Sequence, residues 1–153
     1  MNKLSKLIMY SSLLAGSQFV STAAMAQTAP NGVLTGAVIA TKGITVNCVL
    51  TLTLDSSLNT GDIDMDPGDA NCAALVFNNE PYTTTYTPNT STDPVTGLPI
   101  GTLTFLGVDV TTITLGDCAG SISGQWNGST LNVSATLPPK TGGPACTVNG
   151  SAS

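Results

Sequence analysis

The amino-acid sequence predicts an all-β fold, an antiparallel β-sandwich or partly open barrel of about eight short, disulfide-stapled strands. Residues 44–54 alternate between apolar and polar side chains, as in a half-buried strand. Beyond the first 26 residues, no segment shows the sustained 3.6-residue period of an amphipathic helix. Turn-forming Gly, Pro, Asn and Asp divide the chain into short runs, a layout typical of sandwiches and barrels.

The first 26 residues have the layout of a secretory signal peptide. Lys3 and Lys6 form a positive start, residues 7–20 are largely apolar, and Ala-Met-Ala at 24–26 is a cleavage site before Gln27. The apolar stretch is shorter than the ~20 residues that span a bilayer, which argues against a membrane anchor. We therefore expect a single secreted β domain at 27–153 without a transmembrane segment. Its location would be extracellular, periplasmic or at the outer surface.

Charged side chains are scarce. The chain has four basic residues, nine acidic residues and no histidine, a formal charge of −5. Loss of Lys3 and Lys6 with the signal peptide would leave Lys42 and Lys140 and change this charge to −7. Binding to nucleic acid or to anionic lipid head groups needs clustered cations, so both functions are excluded. Both remaining lysines lie in turn-like segments, where we expect them to be solvated.

The four cysteines all lie in the predicted mature domain, at Cys48, Cys72, Cys118 and Cys146. An even number of cysteines in a small exported domain indicates two disulfides. Three pairings are open, and we favour Cys48–Cys72 with Cys118–Cys146, because each bond then closes a local loop. A zinc site is disfavoured, since the chain has neither a C-x-x-C pair nor a histidine.

The clearest strand is at 44–54, where the even positions form one apolar face that includes Cys48. Asn127-Gly128, between two alternating runs, predicts a hairpin because both positions tolerate a positive φ. Residues 27–31 are expected to be flexible, 55–71 to be a loop, and 82–87 to be an edge strand in a Pro/Thr-rich segment. Further strands are predicted at 32–41, 73–77, 101–106, 108–115, 119–126, 129–137 and 145–150. The strands 101–106 and 108–115 are either separate or one strand bent at Gly107.

No catalytic constellation is evident. A Ser or Cys nucleophile normally needs a neighbouring base, but histidine is absent and the cysteines are expected to be oxidised. A pair of carboxylates could act as acid and base, as in glycosidases, yet the acids lie mostly in one loop. We therefore predict that the protein is not an enzyme and that it needs no cofactor, with calcium as the one alternative.

The acidic loop at residues 62–69 is the candidate metal site. Its alternating carboxylates could converge on Ca²⁺. An EF-hand loop beginning at position 62 would need glycine at 67 and an acid at 73, where this chain has proline and alanine. The favoured interpretation is a solvated loop whose aspartates form turns and aid solubility. The candidate ligands are Asp62, Asp64, Asp66 and Asp69.

Three aromatic residues are candidates for contact with a ligand or an interface. Trp126 precedes the Asn-Gly turn, and Tyr82 and Tyr86 lie in the Pro/Thr-rich segment. The favoured role for Trp126 is packing at the end of a sheet. The alternative is an exposed apolar contact, and the same two roles are open for the tyrosines.

A resemblance to a known family extends over roughly two-thirds of residues 27–153, and several short segments carry it. They are KGITVNC (42–48), LGVDVTT (106–112), LGDCAG (115–120), GQWNG (124–128), LNV (131–133) and ACTVNG (145–150). In these segments the chain resembles the alkane-oxidation activator family, the PraA/PraB-like secreted proteins. The resemblance does not extend to the acidic loop or to the Pro/Thr-rich segment.

The resemblance implies an extracellular protein that promotes growth on long-chain hydrocarbons, and it carries over no catalytic residue. We expect such a protein to act at the hydrocarbon–water interface, with oil or surfactant as its partner, because an exported chain of low charge and high apolar content suits that role. The competing expectation is a structural, fimbria-like subunit of a surface or matrix that self-associates by strand addition. Residues 32–41 would then be the donated strand.

Overall fold

The computed structural model describes residues 27–114 and 116–153, so the expected signal peptide at 1–26 lies outside the described residues. The described chain contains nine strands and a three-residue 3₁₀ helix at Cys72–Ala74. The strands are β1 (Gly32–Lys42), β2 (Ile44–Asp55), β3 (Thr60–Asp64), β4 (Val76–Asn78), β5 (Tyr82–Thr92), β6 (Pro99–Thr111), β7 (Cys118–Trp126), β8 (Leu131–Leu137) and β9 (Cys146–Ala152).

Eight of these strands form a closed antiparallel barrel. Their order is β6-β5-β3-β2-β1-β9-β8-β7, and the barrel closes because β7 also pairs with β6. The short strand β4 pairs with the end of β6 and adds a ninth strand outside the ring. The all-β, antiparallel prediction is therefore confirmed, whereas the two predicted architectures, a sandwich or a partly open barrel, are replaced by a closed one.

Alternating side chains of the strands fill the interior. The even positions of β2 from Val46 to Leu54 point inward, as the sequence pattern predicts. Phe105, Met65 and Leu131 are among the largest fully buried side chains. A remaining gap inside the barrel, lined by side chains of β2, β3, β6, β7, β8 and β9, measures about 10 Å³, roughly the space that one water molecule needs. The lumen is thus a packed core.

Two predictions from the sequence, one of a loop and one of an edge strand, are wrong. Residues 55–71 were expected to be a loop, but they contain β3, which forms a hairpin with β2 across five residue pairs. Residues 82–87 were expected to be an edge strand, but β5 lies inside the ring between β3 and β6. Closure of the ring is the physical reason, because it gives every one of its strands two neighbours.

The bent strand and the hairpin are found with differences in detail. Residues 99–111 form the single strand β6, with a register shift between Phe105 and Val108 where Gly107 has φ +66°. The turn between β7 and β8 spans four residues, and Asn127 Oδ1 accepts hydrogen bonds from the backbone N–H of Thr130 at 2.8 Å. Gly128 has a positive φ of +99°, and β7 pairs with β8, so the predicted hairpin is confirmed.

The segment 27–31 is held against the barrel, in contrast to the expected flexible start. The indole Nε1 of Trp126 donates a hydrogen bond to the Thr28 carbonyl at 3.2 Å, and Pro30 is buried. Asn31 Oδ1 accepts a hydrogen bond from the Ser56 N–H at 2.9 Å. In the part of the chain that the structure describes, no helix has the length and apolarity needed to cross a membrane.

Two disulfides join Cys48 to Cys72 and Cys118 to Cys146, which is the sequential pairing. They close loops of 24 and 28 residues. In the chain-entropy description each such loop contributes about 3–4 kcal/mol to the free energy of unfolding. Both bonds lie near the same end of the barrel, since Asn71, the neighbour of Cys72, and Cys146 line one cavity there.

The seam between β1 and β9 depends on a glycine. A Cβ atom at Gly36 would lie 1.8 Å from the Ser151 carbonyl oxygen, which belongs to the backbone of β9. No real Cβ atom approaches a backbone oxygen so closely, so any side chain at this position would push the strands apart. The hydrogen bonds between Thr35 and Ser153 at 3.2 and 3.0 Å depend on this close approach.

We expect Gly36→Ala to lower the free energy of unfolding by more than about 2 kcal/mol, because overpacking at this seam cannot be relieved by rotating a side chain. Urea unfolding followed by circular dichroism measures the change. Thr35→Ala is the matched control, since Thr35 is the exposed neighbour on the same strand, and it should cost less than about 1 kcal/mol. Equal losses in the two variants would contradict the role given to Gly36.

Candidate functional site

One end of the barrel carries the candidate site, and we call it the barrel mouth. It is formed by the turn between β1 and β2 (Lys42–Ile44), by the described residues of the β6–β7 loop (112–114 and 116–117), and by Pro144. The Cys118–Cys146 disulfide lies beside it, because the Lys42 Nζ atom is 3.3 Å from Cys118 Sγ. Leu75, which follows the 3₁₀ helix, and Phe77 of β4 line the space beneath the mouth.

An apolar cavity of about 40 Å³ lies beneath the mouth. Lys42, Ile44, Ile113 and Thr114 line both this cavity and the open depression above it, so the cavity adjoins the mouth. Its walls are almost entirely apolar because they combine inward side chains of β1, β2, β6 and β9 with the segment after the 3₁₀ helix. The buried and half-buried apolar residues of the wall are Ala40, Val46, Met65, Leu75, Phe77, Val110, Leu137, Cys146 and Val148, and Lys42, Asn71 and several threonines complete it.

The rim of the mouth exposes large apolar side chains. Ile113 is 55% exposed in the β6–β7 loop, and Ile44 is 42% exposed at the start of β2. The alternation in β2 placed Ile44 on the inner face, but the strand begins there and its inner face opens to solvent at the mouth. Ile113 was not a candidate from the sequence, because it lies within the predicted strand 108–115. The observed strand β6 ends at Thr111, which leaves Ile113 in the loop.

Lys42 is buried at the mouth, although it was expected to be solvated in a turn. Strand β1 continues one residue further than predicted, so Lys42 falls on the inward face with Val38 and Ala40. Its side chain is only 5% exposed, and Nζ donates a hydrogen bond to the Pro144 carbonyl at 2.8 Å. Extending the period-two pattern of β1 to its last residue would have revealed this cation.

Lys140 has a different environment from Lys42. Its Nζ atom forms an ion pair with Asp109 at 2.5 Å, and its side chain is 48% exposed. The hydrogen bond that the Lys140 ammonium donates to Asp109, together with the negative charge of Asp109, raises the pKa of Lys140. Among residues 27–114 and 116–153 this is the one ion pair, so Lys42 has no carboxylate partner in the described structure.

The three aromatic candidates do not form a contact surface. Trp126 is 8% exposed and Tyr82 is 3% exposed, so both rings belong to the core. Tyr82 donates hydrogen bonds to the carbonyls of Asn78 at 2.7 Å and Asp109 at 3.2 Å. The half-buried Tyr86 donates to Gln27 Oε1 at 3.3 Å. These residues pack the barrel, because closure turns β5 and β7 into interior strands.

The four aspartates of the acidic loop are spread over the surface. Asp62 and Asp64 project outward from β3, and Asp64 Oδ1 accepts a hydrogen bond from the Asp66 N–H at 3.0 Å. Asp69 Oδ2 accepts from the Asn47 N–H at 2.7 Å, which fixes the loop against β2. Across the described ranges, no group of three or more His, Cys, Asp or Glu side chains is arranged to hold a metal ion.

A fifth acid joins this acidic surface. Glu80 Oε1 accepts a hydrogen bond from the Ile63 N–H at 2.5 Å, which places its carboxylate between the outward side chains of Asp62 and Asp64. Partial loss of hydration raises the pKa of Glu80, and the negative charges of Asp62 and Asp64 raise it further. The hydrogen bond from Ile63 opposes this change.

Fold and mouth together define a small, disulfide-bonded, closed antiparallel barrel with a packed lumen and an apolar cleft at one end. A family model described as alkane oxidation protein activator, PraA/PraB-like, matches residues 1–153, which is the whole chain. The chain therefore belongs to this family, and the resemblance found in the sequence is confirmed. No curated protein and no solved structure matches the chain.

The raised pKa of Glu80 predicts a pH-dependent contribution to stability. The native state holds the proton of Glu80 more tightly than the unfolded chain does. Glu80 therefore stabilises the folded state below its ordinary pKa of 4.5, and this stabilisation is lost as pH rises through the raised pKa. We expect Glu80→Gln to raise the free energy of unfolding at pH 7 and to have no such effect at pH 3.5. Urea unfolding at the two pH values measures the difference.

Asp93→Asn is the matched control, with the opposite sign. The backbone N–H groups of Thr96 and Val95 donate to Asp93 and lower its pKa. Its contribution is therefore present above the ordinary pKa of 3.8 and is lost as pH falls. Asp93→Asn should destabilise the protein at pH 7. The same sign for both variants at pH 7 would contradict the electrostatic account.

Proposed function

We propose that the protein is an exported, non-enzymatic accessory factor that promotes the oxidation of long-chain alkanes by adsorbing at the hydrocarbon–water interface through the barrel mouth. The observation that carries this proposal is the exposed pair Ile44 and Ile113 above an apolar cavity, in a member of the alkane oxidation activator family. Large exposed apolar side chains gathered at one site are typical of contact surfaces.

The packed interior supports contact at the surface rather than inside the barrel. The lumen gap of about 10 Å³ has no room for an alkyl chain, and the cavity under the mouth, at about 40 Å³, admits only a short stretch of one. Barrels that carry apolar ligands enclose a cavity large enough for the whole molecule. The described barrel is filled by its own side chains instead.

The distribution of charge also supports adsorption to oil. Strands β7, β8 and β9 contain no charged residue, and β1 contains only the buried Lys42. Moving charged groups out of water costs much free energy. Hydroxyl and amide groups that are already hydrogen-bonded across strands cost less to move. Such pairs occur here between Thr104 and Ser123 at 2.9 Å and between Ser134 and Asn149 at 2.9 Å.

Export is supported by the disulfides. Both described bonds, Cys48–Cys72 and Cys118–Cys146, need an oxidising compartment to form and persist. Alkane droplets lie outside the cell, so a protein that meets them must leave the cytoplasm. The layout of residues 1–26 as a signal peptide agrees with this location.

The structural alternative has less support. Residues 32–41, the expected donor strand, lie in β1, which pairs with β2 along its whole length and with β9 on its other side. A donated strand must be free to leave its own sheet, and β1 is a central strand of a closed ring. Within the described sheet the terminal strand is β4, which has only three residues.

The proposal predicts that Ile44→Ser combined with Ile113→Ser weakens adsorption to hexadecane droplets. Each half-exposed isoleucine loses about 1 kcal/mol of apolar contact, so the pair should weaken adsorption by roughly thirty-fold. Depletion of the protein from solution by washed droplets, read together with the interfacial tension of a pendant hexadecane drop, measures the effect.

Val95→Ser combined with Leu98→Ser is the matched control. These two side chains are 91% and 53% exposed at the tip of the β5–β6 hairpin, so the control removes as much apolar surface at a different place. It should leave adsorption unchanged. Equal weakening of adsorption in both double variants, or no adsorption of the wild-type protein to hexadecane, would overturn the proposal.

A further inference from the structure

The buried cation at the mouth has unused binding capacity. The Lys42 ammonium can donate three hydrogen bonds, and the described structure supplies the Pro144 carbonyl at 2.8 Å and Cys118 Sγ at 3.3 Å. Sulfur is a weak acceptor, so only one of these bonds is strong. A buried ammonium without a counter-ion is costly, because desolvation is compensated only when the charge is paired.

The surroundings of Lys42 are apolar in one direction and open in the other. Lys42 lines both the 40 Å³ cavity and the open depression of the mouth, and the depression is also bordered by Ile44, Ile113 and Pro144. A ligand entering here would meet a positive charge and an apolar rim within one site. That combination is complementary to an amphiphile with an anionic head and an alkyl tail.

We infer that the barrel mouth binds long-chain carboxylates, with the carboxylate at the Lys42 ammonium and the alkyl chain lying across Ile44 and Ile113. This inference rests on the proposed function for the source of the ligand. Oxidation of the end of an alkane proceeds through an alcohol to a carboxylate, so reactions of that class supply such anions at an oil surface. The cavity size fits this pose, because only a short part of the ligand enters while the chain remains on the rim.

Titration with three ligands of equal tail length tests the inference: dodecanoate, dodecanol and dodecyltrimethylammonium, each below its micelle concentration. We expect dodecanoate to shift the amide NMR signals of Gly43, Thr114 and Gly116, and to bind at least tenfold more tightly than the cationic ligand. Lys42→Met should abolish this preference. Equal affinities for the three ligands, or shifts confined to other parts of the barrel, would overturn the inference.

A second pair of variants decides the matter if Lys42→Met fails to fold. Ile113→Asp places a negative charge on the exposed rim and should weaken dodecanoate binding at least tenfold. Ile39→Asp places the same charge on the outward face of β1, where Ile39 is 48% exposed, and should leave binding unchanged. Equal dissociation constants for these two variants would overturn the inference.

Failure of the inference can be told apart from failure of the proposed function in the wild-type protein. Adsorption to hexadecane droplets without binding of dodecanoate keeps the interfacial function and overturns the inference. Binding of dodecanoate at the mouth without adsorption to droplets supports the inference and overturns the interfacial function.

Discussion

The seam between β3 and β5, the shortest ladder of the closed ring, is the constraint on which the other features depend. Only two residue pairs join these strands, Thr60 with Thr83 and Gly61 with Tyr82, extended by the hydrogen bond from the Thr84 N–H to the Asn59 carbonyl at 2.8 Å. A Cβ atom at Gly61 would lie 2.7 Å from the Phe105 ring, so the glycine lets this ring of β6 pack across the seam. A short ladder and one large buried ring therefore hold shut a sheet that would otherwise expose its core.

The mouth exists because the ring is closed and then cross-linked at one end. Closure brings the β1–β2 turn, the β6–β7 loop and the segment after the 3₁₀ helix to the same opening, and the two disulfides hold the last two of these in place. Because the lumen is packed, hydrocarbon can contact apolar side chains at the rim, where Ile44 and Ile113 are exposed, but not inside the barrel. The same closure turns the end of β1 inward and so buries the cation of Lys42. Fold, apolar cleft and buried charge are consequences of one topology.

Local features were predictable from the sequence, whereas features set by closure were not. The alternation of β2, the bend at Gly107 and the Asn-Gly hairpin follow from residue patterns within a few positions, and the disulfide pairing followed from short loop lengths. The strand β3 was missed because its glycine and aspartates are poor strand formers, and pairing with β2 overrides that preference. The interior position of Tyr82, the burial of Lys42 and the exposure of Ile113 depend on which distant strands meet. Period-two patterns do not contain that information.

Hydrogen–deuterium exchange of the protein adsorbed on hexadecane droplets, compared with the free protein, tests the central claim that hydrocarbon meets the barrel mouth while the barrel stays closed. The account predicts added protection at residues 43–44, 112–114 and 116–117 and unchanged exchange in the core strands β2, β6 and β9. Faster exchange in those strands would show that the barrel opens on oil. Protection confined to the hairpin tip at 93–98 would place the contact elsewhere. Either result would contradict the account.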